Sequence, residues 1–285
     1  MSPTSTASVT YTWQDWLSIL RFIALHLVCL GAFWTGMPTR ALVLAVAVYA
    51  LQMFAVTAVY HRYYSHRSYK MGRVARFVGA FFAQISGQRS VFWWAAVHRH
   101  HHRHTDEPED LHSPRHGFWH SHMLWMLSHK NDHTRFEMIP DLQKMMDQAP
   151  ELRLLHRFQH IPLLLSMLTC WLIAGWPGFV AFFWALIACY HITFTINSLS
   201  HIWGTQRYDT GDDSRNNPLL ALLTFGEGWH NNHHHYQASA RQGFFWWELD
   251  LTWYGLLALE RLGIVWDLKR PTDRALSGQT PQRTA

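Results

Sequence analysis

The chain has 285 residues, of which 49% are hydrophobic, 15% aromatic and only 15% charged, with a formal net charge of +5. This mixture is typical of a membrane protein with large aqueous portions, so we expect lipid rather than nucleic acid as a partner. The three cysteines, Cys29, Cys170 and Cys189, form no C-x-x-C motif. All three lie in apolar stretches and are expected to be small apolar core residues.

Four apolar stretches predict membrane-spanning helices at about 16–35, 41–60, 161–178 and 179–200. The stretch 41–60 is the clearest, because it carries no charge and is long enough to cross a bilayer. The stretch 161–200 has twice that length and is interrupted by Gly175, Pro177 and Gly178, which favours a helical hairpin. The first stretch is weaker, since it contains Arg21 and His26.

Lysine and arginine concentrate in segments 62–160 and 201–285, which places both segments in the cytoplasm. Segment 71–97 is apolar in part, but a fifth span there would put His98 across the membrane from His66. We therefore expect this segment to lie on the membrane as an interfacial helix that leads into the helix carrying His98. The predicted fold is a single all-α membrane domain over residues 1–285, with a cytosolic helical cap formed by 61–160 and 201–285.

Histidine is abundant, at 22 residues, and much of it falls into three clusters. The clusters are H-x4-H (His61 and His66), H-x-x-H-H (His98, His101 and His102) and a second H-x-x-H-H (His230, His233 and His234). Chance and a solvated metal-binding tract are the alternatives, and both explain two identical spacings beside apolar segments poorly. Neutral imidazole is the commonest protein ligand for transition metals, so the eight side chains indicate a two-metal site.

Helical spacing makes more specific predictions for these side chains. Residues i, i+3 and i+4 share one face of an α-helix, so each H-x-x-H-H predicts three imidazoles aimed at one point. His61 and His66 diverge by about 140° on an α-helix, so they serve different metals or lie where the helix ends. Asn197 and His201 form an i, i+4 pair close to the same membrane surface.

Four sequence motifs resemble those of the membrane fatty-acyl desaturases of the stearoyl-CoA Δ9 type, in their bacterial form. These motifs are HRYYSHRSYK, HRHHHRHTDEPEDLHSPRHGFW, NSLSH and GEGWHNNHHHY. The resemblance implies four transmembrane helices beneath a cytosolic cap that holds two iron ions. The implied iron ligands are His61, His66, His98, His101, His102, His201, His230, His233 and His234, with Asn197 bound through water.

The resemblance also implies a bent acyl tunnel shaped by Gln88, Trp94 and Thr193. Where animal relatives have an Arg-Asp pair that helps to hold coenzyme A, this chain has Ala96 and Val97. The acyl carrier therefore stays open between coenzyme A, acyl carrier protein and a lipid.

Further polar residues lie close to the histidine clusters. Asp106, Asp110, Asp213 and Glu227 are candidate hydrogen-bond acceptors for the liganding imidazoles. The extra histidines, His100, His104 and His235, are interpreted as surface groups or as supports of the ligands.

The implied reaction inserts a cis double bond, at Δ9, into a saturated long-chain acyl group, using O₂ and two electrons. The sequence contains no cysteine cluster, fused haem domain or glycine-rich nucleotide loop. An external donor is therefore expected, ferredoxin-like or cytochrome b5-like, with its own reductase. The expected location is the bacterial inner membrane, with the cap in the cytoplasm.

Three other functions are alternatives to a desaturase. A membrane di-iron fatty-acid or alkane hydroxylase uses similar histidine boxes and is the nearest alternative. A metal transporter would need ionisable residues along the spans, which offer only Arg21, His26 and His191. A membrane zinc protease would need H-E-x-x-H, which is absent from the sequence.

Overall fold

A computed structural model describes residues 12–128 and 139–278, and most of them are helical. Residues 129–138 and 279–285 of the predicted cap lie outside the described ranges. In chain order the α-helices are α1 (Trp13–Cys29), α2 (Ala32–Thr35), α3 (Thr39–Ala55), α4 (Arg73–Gln84), α5 (Val91–His104), α6 (Trp125–Leu127), α7 (Pro140–Gln148), α8 (Pro150–Arg157), α9 (Ile161–Asn197), α10 (Pro218–Leu223), α11 (His230–His235), α12 (Leu251–Arg261) and α13 (Asp273–Leu276). Two π-helices (Val56–Ser65 and His120–Leu124), two 3₁₀ turns (Pro114–His116 and Leu199–His201) and strands β1 (Lys70–Met71) and β2 (Val265–Trp266) complete the described elements.

Three helical stretches are long and apolar enough to cross a membrane: Trp13–Thr35, Thr39–Ser65 and Ile161–His201. The first two contain the predicted spans at 16–35 and 41–60. The second stretch continues past residue 60 because α3 runs directly into the π-helix Val56–Ser65, which carries His61. The same continuous helix therefore joins an apolar segment to the first histidine cluster.

The third apolar stretch is interrupted near its middle. Helical geometry is lost at Ala174 and at Gly175, where φ is +60°, a value that favours glycine. Beyond the break, Gly178 lies so close to the preceding arm that a Cβ atom there would be 2.1 Å from the carbonyl oxygen of Cys170. The break falls within the predicted Gly-Pro-Gly interruption, three to four residues before the boundary expected at 178/179.

Segment 71–97 forms two helices instead of one continuous helix. The amphipathic helix α4 exposes Val74, Val78 and Phe82 and ends before a turn that contains Gly87 and Arg89 at positive φ. A new helix, α5, then begins with Ser90 as its N-cap, whose hydroxyl accepts from the backbone NH of Trp93 at 3.3 Å. The segment is not among the candidate spans, and α5 continues from it to His98 as predicted, but the turn after α4 divides the predicted interfacial helix in two.

A small antiparallel ribbon departs from the all-α prediction. Strand β1 pairs with β2, with Lys70 opposite Trp266 and Met71 opposite Val265. The ribbon links the segment that follows His66 to the C-terminal part of the chain. Between these parts, the main hydrophobic core packs Tyr60, Tyr64, Phe92 and Leu256, all with less than 2% of their surface exposed.

Candidate metal centre

The predicted histidines lie together as two adjacent groups, in each of which the candidate ligand atoms are within 4.8 Å of one another. The five-histidine group is His61, His66, His98, His102 and His233, and the four-histidine group is His101, His201, His230 and His234. The Nε2 atoms of His61 and His233 are 3.0 Å apart in the first group, as are those of His201 and His230 in the second. Every histidine that the sequence predicted as a ligand belongs to one of the groups.

Each H-x-x-H-H cluster contributes to both groups. On α5, His98 and His102 belong to the five-histidine group, while His101 belongs to the four-histidine group. On α11 the division is reversed, because His230 and His234 share the four-histidine group and His233 joins the other. The prediction that each cluster aims three imidazoles at one point was wrong: the i, i+4 pair converges, and the i+3 residue points to the neighbouring group.

A π-helix brings His61 and His66 into the same group. Five residues complete slightly more than one turn of a π-helix, whose hydrogen bonds run from i to i+5. The π-helix Val56–Ser65 ends just before His66, and the His61 and His66 ring centroids are 4.8 Å apart. The sequence left two alternatives: that His61 and His66 serve different metals, or that they lie where the helix ends. His66 does lie at the helix end, and both histidines belong to the same group.

Asn197 and His201 lie on either side of a change in helix type. The α-helix α9 ends at Asn197, and His201 closes the following 3₁₀ turn. His201 is buried within the four-histidine group. Asn197 lines a cavity next to that group, together with His101 and His230. Its water-mediated metal contact stays a prediction.

Three of the four carboxylates proposed from the sequence contact histidines of the groups. Asp106 accepts from Nδ1 of His201 at 3.0 Å, Asp110 accepts from Nδ1 of His101 at 2.9 Å, and Glu227 pairs with Nδ1 of His61. Each of these interactions fixes a ligand's orientation from outside the group.

Asp213, the fourth candidate, instead pairs with Arg115 at 2.8 Å on the surface. Its neighbour Asp212 takes the expected role, with a carboxylate oxygen 2.8 Å from Nδ1 of His234. The sequence reads GDDS at this point, so nothing in the spacing distinguishes the two aspartates.

The donor set fits metal cations. A carboxylate accepts hydrogen bonds only, so His61, His101, His201 and His234 donate from Nδ1, and the neutral form of each presents an unprotonated Nε2 to the group. Nε2 of His234 is buried and has no hydrogen-bond partner among the described residues. A metal ion would satisfy this atom, and all-imidazole ligation suits iron as well as zinc.

Burial favours the neutral form of the histidines, which is the form that can bind metal. Burial lowers the pKa values of five histidines well below 6.5, and the neighbouring imidazoles lower these pKa values further. The five are His66, His98, His102, His230 and His233. Burial alone would raise the pKa of Asp106, but the hydrogen bonds that it accepts from His201, Ser113 and the backbone NH of Asp213 lower it overall. The site therefore combines neutral imidazoles with ionised carboxylates.

The three predicted tunnel residues contact one another. The Gln88 side chain donates from Nε2 to the Thr193 hydroxyl at 3.3 Å, and its oxygen accepts from the Trp94 indole at 3.2 Å. Trp94 and Thr193 line both an apolar cavity that contains Met53 and Val56 and a wider cavity that contains Gln88. The three residues therefore lie where the two cavities meet, beside His98.

The remaining histidines lie outside both groups. His100 and His104 are partly exposed on the opposite face of α5, as expected. His235 is buried, since its ring stacks on Tyr208 at 4.0 Å and its Nε2 lies 3.1 Å from the carbonyl oxygen of Ala275. The sequence reasoning missed His112, which is buried with its ring 4.4 Å from that of His101.

These features define a class of protein: apolar helices long enough to span a membrane, joined to two histidine groups that could each hold a metal beside a cavity. The fatty acid desaturase family model matches residues 34–261, and the chain belongs to this family. Members generally use two iron ions, and membership implies an oxidoreductase that acts on fatty acyl chains.

Several plant proteins are similar over most of the chain. An acyl-CoA 5-desaturase of Anemone leveillei is 37% identical over 91% of this chain and 81% of its own length. A chloroplastic palmitoyl-monogalactosyldiacylglycerol delta-7 desaturase of Arabidopsis thaliana is 34% identical over 91% of this chain and 70% of its own. A delta-9 acyl-lipid desaturase of Arabidopsis thaliana is 34% identical over 87% of this chain and 81% of its own length. The relatives thus differ in both double-bond position and acyl carrier.

Proposed function

We propose that this protein is an O₂-dependent desaturase that inserts a cis double bond, at Δ9, into a saturated long-chain acyl group carried by coenzyme A or by a lipid. The observation that carries this proposal is the position of the histidine groups. His61, His98, His101 and His230 line the same cavity as Met53, Val56 and Ile196. An alkyl chain in this apolar cavity would lie directly beside both groups.

The nine histidines of the two groups would hold two iron ions, with Asn197 reaching one of them through water. When bound, the irons would supply the strong oxidant, generated from O₂, that is needed to remove hydrogen from an unactivated methylene. The carboxylates at His61, His101, His201 and His234 keep each proton on Nδ1, so that Nε2 stays available for metal. The reaction takes two hydrogen atoms from the substrate and two electrons and two protons from outside, and it releases two water molecules.

The chain itself selects which C–C bond reacts. Gln88, Trp94 and Thr193 form a hydrogen-bonded set at the junction of the two cavities, where a bend would fix one position of a flexible acyl chain beside the irons. Holding the reacting carbons in place in this way lowers the entropic part of the barrier. Ala96 and Val97 are buried, so they offer no surface contact to a carrier.

We also propose four membrane spans, with the break at Ala174–Gly175 as a turn on the far side from the cap, in a bacterial inner membrane. This arrangement brings His61 and His201 to the same cytoplasmic side, where an external ferredoxin-like or cytochrome b5-like donor would deliver electrons.

Cysteine labelling tests this topology. With four spans, Trp176→Cys, at a side chain 63% exposed, should react with an impermeant maleimide applied to intact cells. Gln148→Cys, exposed at the end of α7, should react only after the cells are permeabilised. If residues 161–201 formed one continuous span, Trp176→Cys would lie inside the bilayer and stay unlabelled.

The reaction is tested by expressing the protein in a host that lacks the activity but supplies an electron donor. Gas chromatography–mass spectrometry with double-bond location should detect a new cis-Δ9 monounsaturated chain. Separate analysis of the acyl-CoA and phospholipid pools soon after induction should show which carrier is desaturated first. Hydroxylated chains without an alkene would instead identify a di-iron hydroxylase.

A further inference from the structure

Arg62 is buried in the core of the cap next to the five-histidine group. It follows His61 on the π-helix, and none of its surface is exposed. Its guanidinium group makes five hydrogen bonds, which equals its number of N–H donors. Two go to Oε1 of Glu227 at 3.3 and 3.1 Å, one goes to the carbonyl oxygen of Ala240 at 2.7 Å, and two go to the carboxylate of Asp250 at 3.1 and 3.0 Å.

Glu227 connects this arginine to a candidate ligand. Arg62 holds Oε1 of Glu227, while the other oxygen, Oε2, pairs with Nδ1 of His61. The carboxylate therefore has one oxygen fixed from behind and the other directed at the imidazole. A planar guanidinium that binds two carboxylates at once fixes their orientation as a single ammonium group cannot.

The four-histidine group is supported differently. Asp106 accepts from the Ser113 hydroxyl, Asp110 from backbone NH groups, and Asp212 from Thr210. Within residues 12–128 and 139–278, no arginine side chain donates a hydrogen bond to any of these three carboxylates. Loss of Arg62 should therefore disturb one histidine group and spare the other.

We propose that Arg62 is a positioning residue for the five-histidine group, which holds Glu227 so that His61 keeps its proton on Nδ1 and directs Nε2 at the metal. The proposal rests on the proposed function only in taking iron as the metal. It assigns Arg62 an effect on one of the two metal positions, whereas a purely structural role would affect both positions or neither.

Arg62→Lys keeps the positive charge but loses the planar fork. Arg73→Lys is the matched control, because two guanidinium nitrogens of Arg73 also bind a carboxylate, that of Glu151, at 2.8 and 2.7 Å, while neither residue belongs to or supports a histidine group. Purified proteins would be stripped of metal and titrated with ferrous iron. We expect Arg62→Lys to weaken one of the two binding steps by about 10- to 100-fold and to leave the other unchanged. Arg73→Lys should keep both steps.

Glu227→Gln separates this effect from misfolding. An amide has an acceptor oxygen on one side and an NH2 donor on the other, so residue 227 could no longer accept from Arg62 with one atom and from His61 with the other, while Arg62 would stay paired with Asp250. We expect the same selective loss of one iron step, with the metal-free protein unfolding within a few degrees of the wild type. Two intact iron steps in Glu227→Gln would overturn the proposal, and so would equal weakening of both steps. Wild-type protein that binds no iron would instead refute the proposed function.

Discussion

Replacing His102 or His233 by alanine is expected to abolish the unsaturated product. Both side chains belong to the five-histidine group, and their Nε2 atoms are 2.9 Å apart. Changing the hydrogen-bond partner of a metal ligand typically lowers activity by about 10- to 100-fold. Loss of a ligand removes a direct bond to the metal, so the activity of each variant should fall by more than this. Activity should be measured as alkene per unit of membrane-inserted protein.

The same two variants should each retain metal in the four-histidine group, so iron content is expected to fall by about half. His100→Ala is the matched control, since His100 lies on the same helix but outside both groups. It should keep full iron and full activity. Normal alkene production in both His102→Ala and His233→Ala would refute the metal assignment, whatever the iron content.

Acidification is expected to destabilise the metal-free protein sharply below about pH 6.5. The pKa values of His66, His98, His102, His230 and His233 lie well below 6.5 in the folded chain, chiefly because the rings are buried. Above pH 6.5 these histidines are neutral in both states, and the protein keeps its full stability. As the pH falls, the unfolded chain binds protons that the folded chain cannot.

The unfolding free energy is expected to depend steeply on pH. Each such histidine costs about 1.4 kcal/mol of unfolding free energy per pH unit, until the pH reaches its folded-state pKa. Several acting together approach the whole stability of a typical domain, about 5–15 kcal/mol. Thermal unfolding of metal-free protein in detergent, followed by tryptophan fluorescence, should show a falling midpoint between pH 7.5 and 5.5. The midpoint of the iron-loaded protein should stay constant until the pH is low enough for the metal to dissociate. A constant midpoint for the metal-free protein would contradict the argument.

Apolar stretches and helix-breaking residues predicted the positions of two long apolar helices and of the break in a third. The apolar stretches at 16–35 and 41–60 correspond to helical segments of the structure, and the glycines and proline near 175–178 indicated the break in α9. These features depend on composition and backbone preference over short windows. Helix type was not predictable in this way, because the π-helix that aligns His61 with His66 differs from an α-helix by small shifts in hydrogen bonding.

Contacts between distant segments were harder to predict. The choice of Asp213 over Asp212 failed because both carboxylates lie in one loop, and only the position of His234 on α11 distinguishes them. Nothing in the sequence distinguishes Arg62, since one arginine beside a histidine has no distinctive pattern. Its importance depends on Glu227 and Asp250, which are 165 and 188 residues away in sequence.

The sequence by itself determined which side chains are available: three histidine clusters at fixed spacing, next to apolar segments long enough to span a membrane. The tertiary structure alone decided how the nine histidines divide into groups of five and four. Spacing sets the direction of a side chain on its own helix, but a group forms only where helices from distant parts of the chain meet. His61 and His233 are 172 residues apart in sequence, and the packing of their helices brings their Nε2 atoms to 3.0 Å.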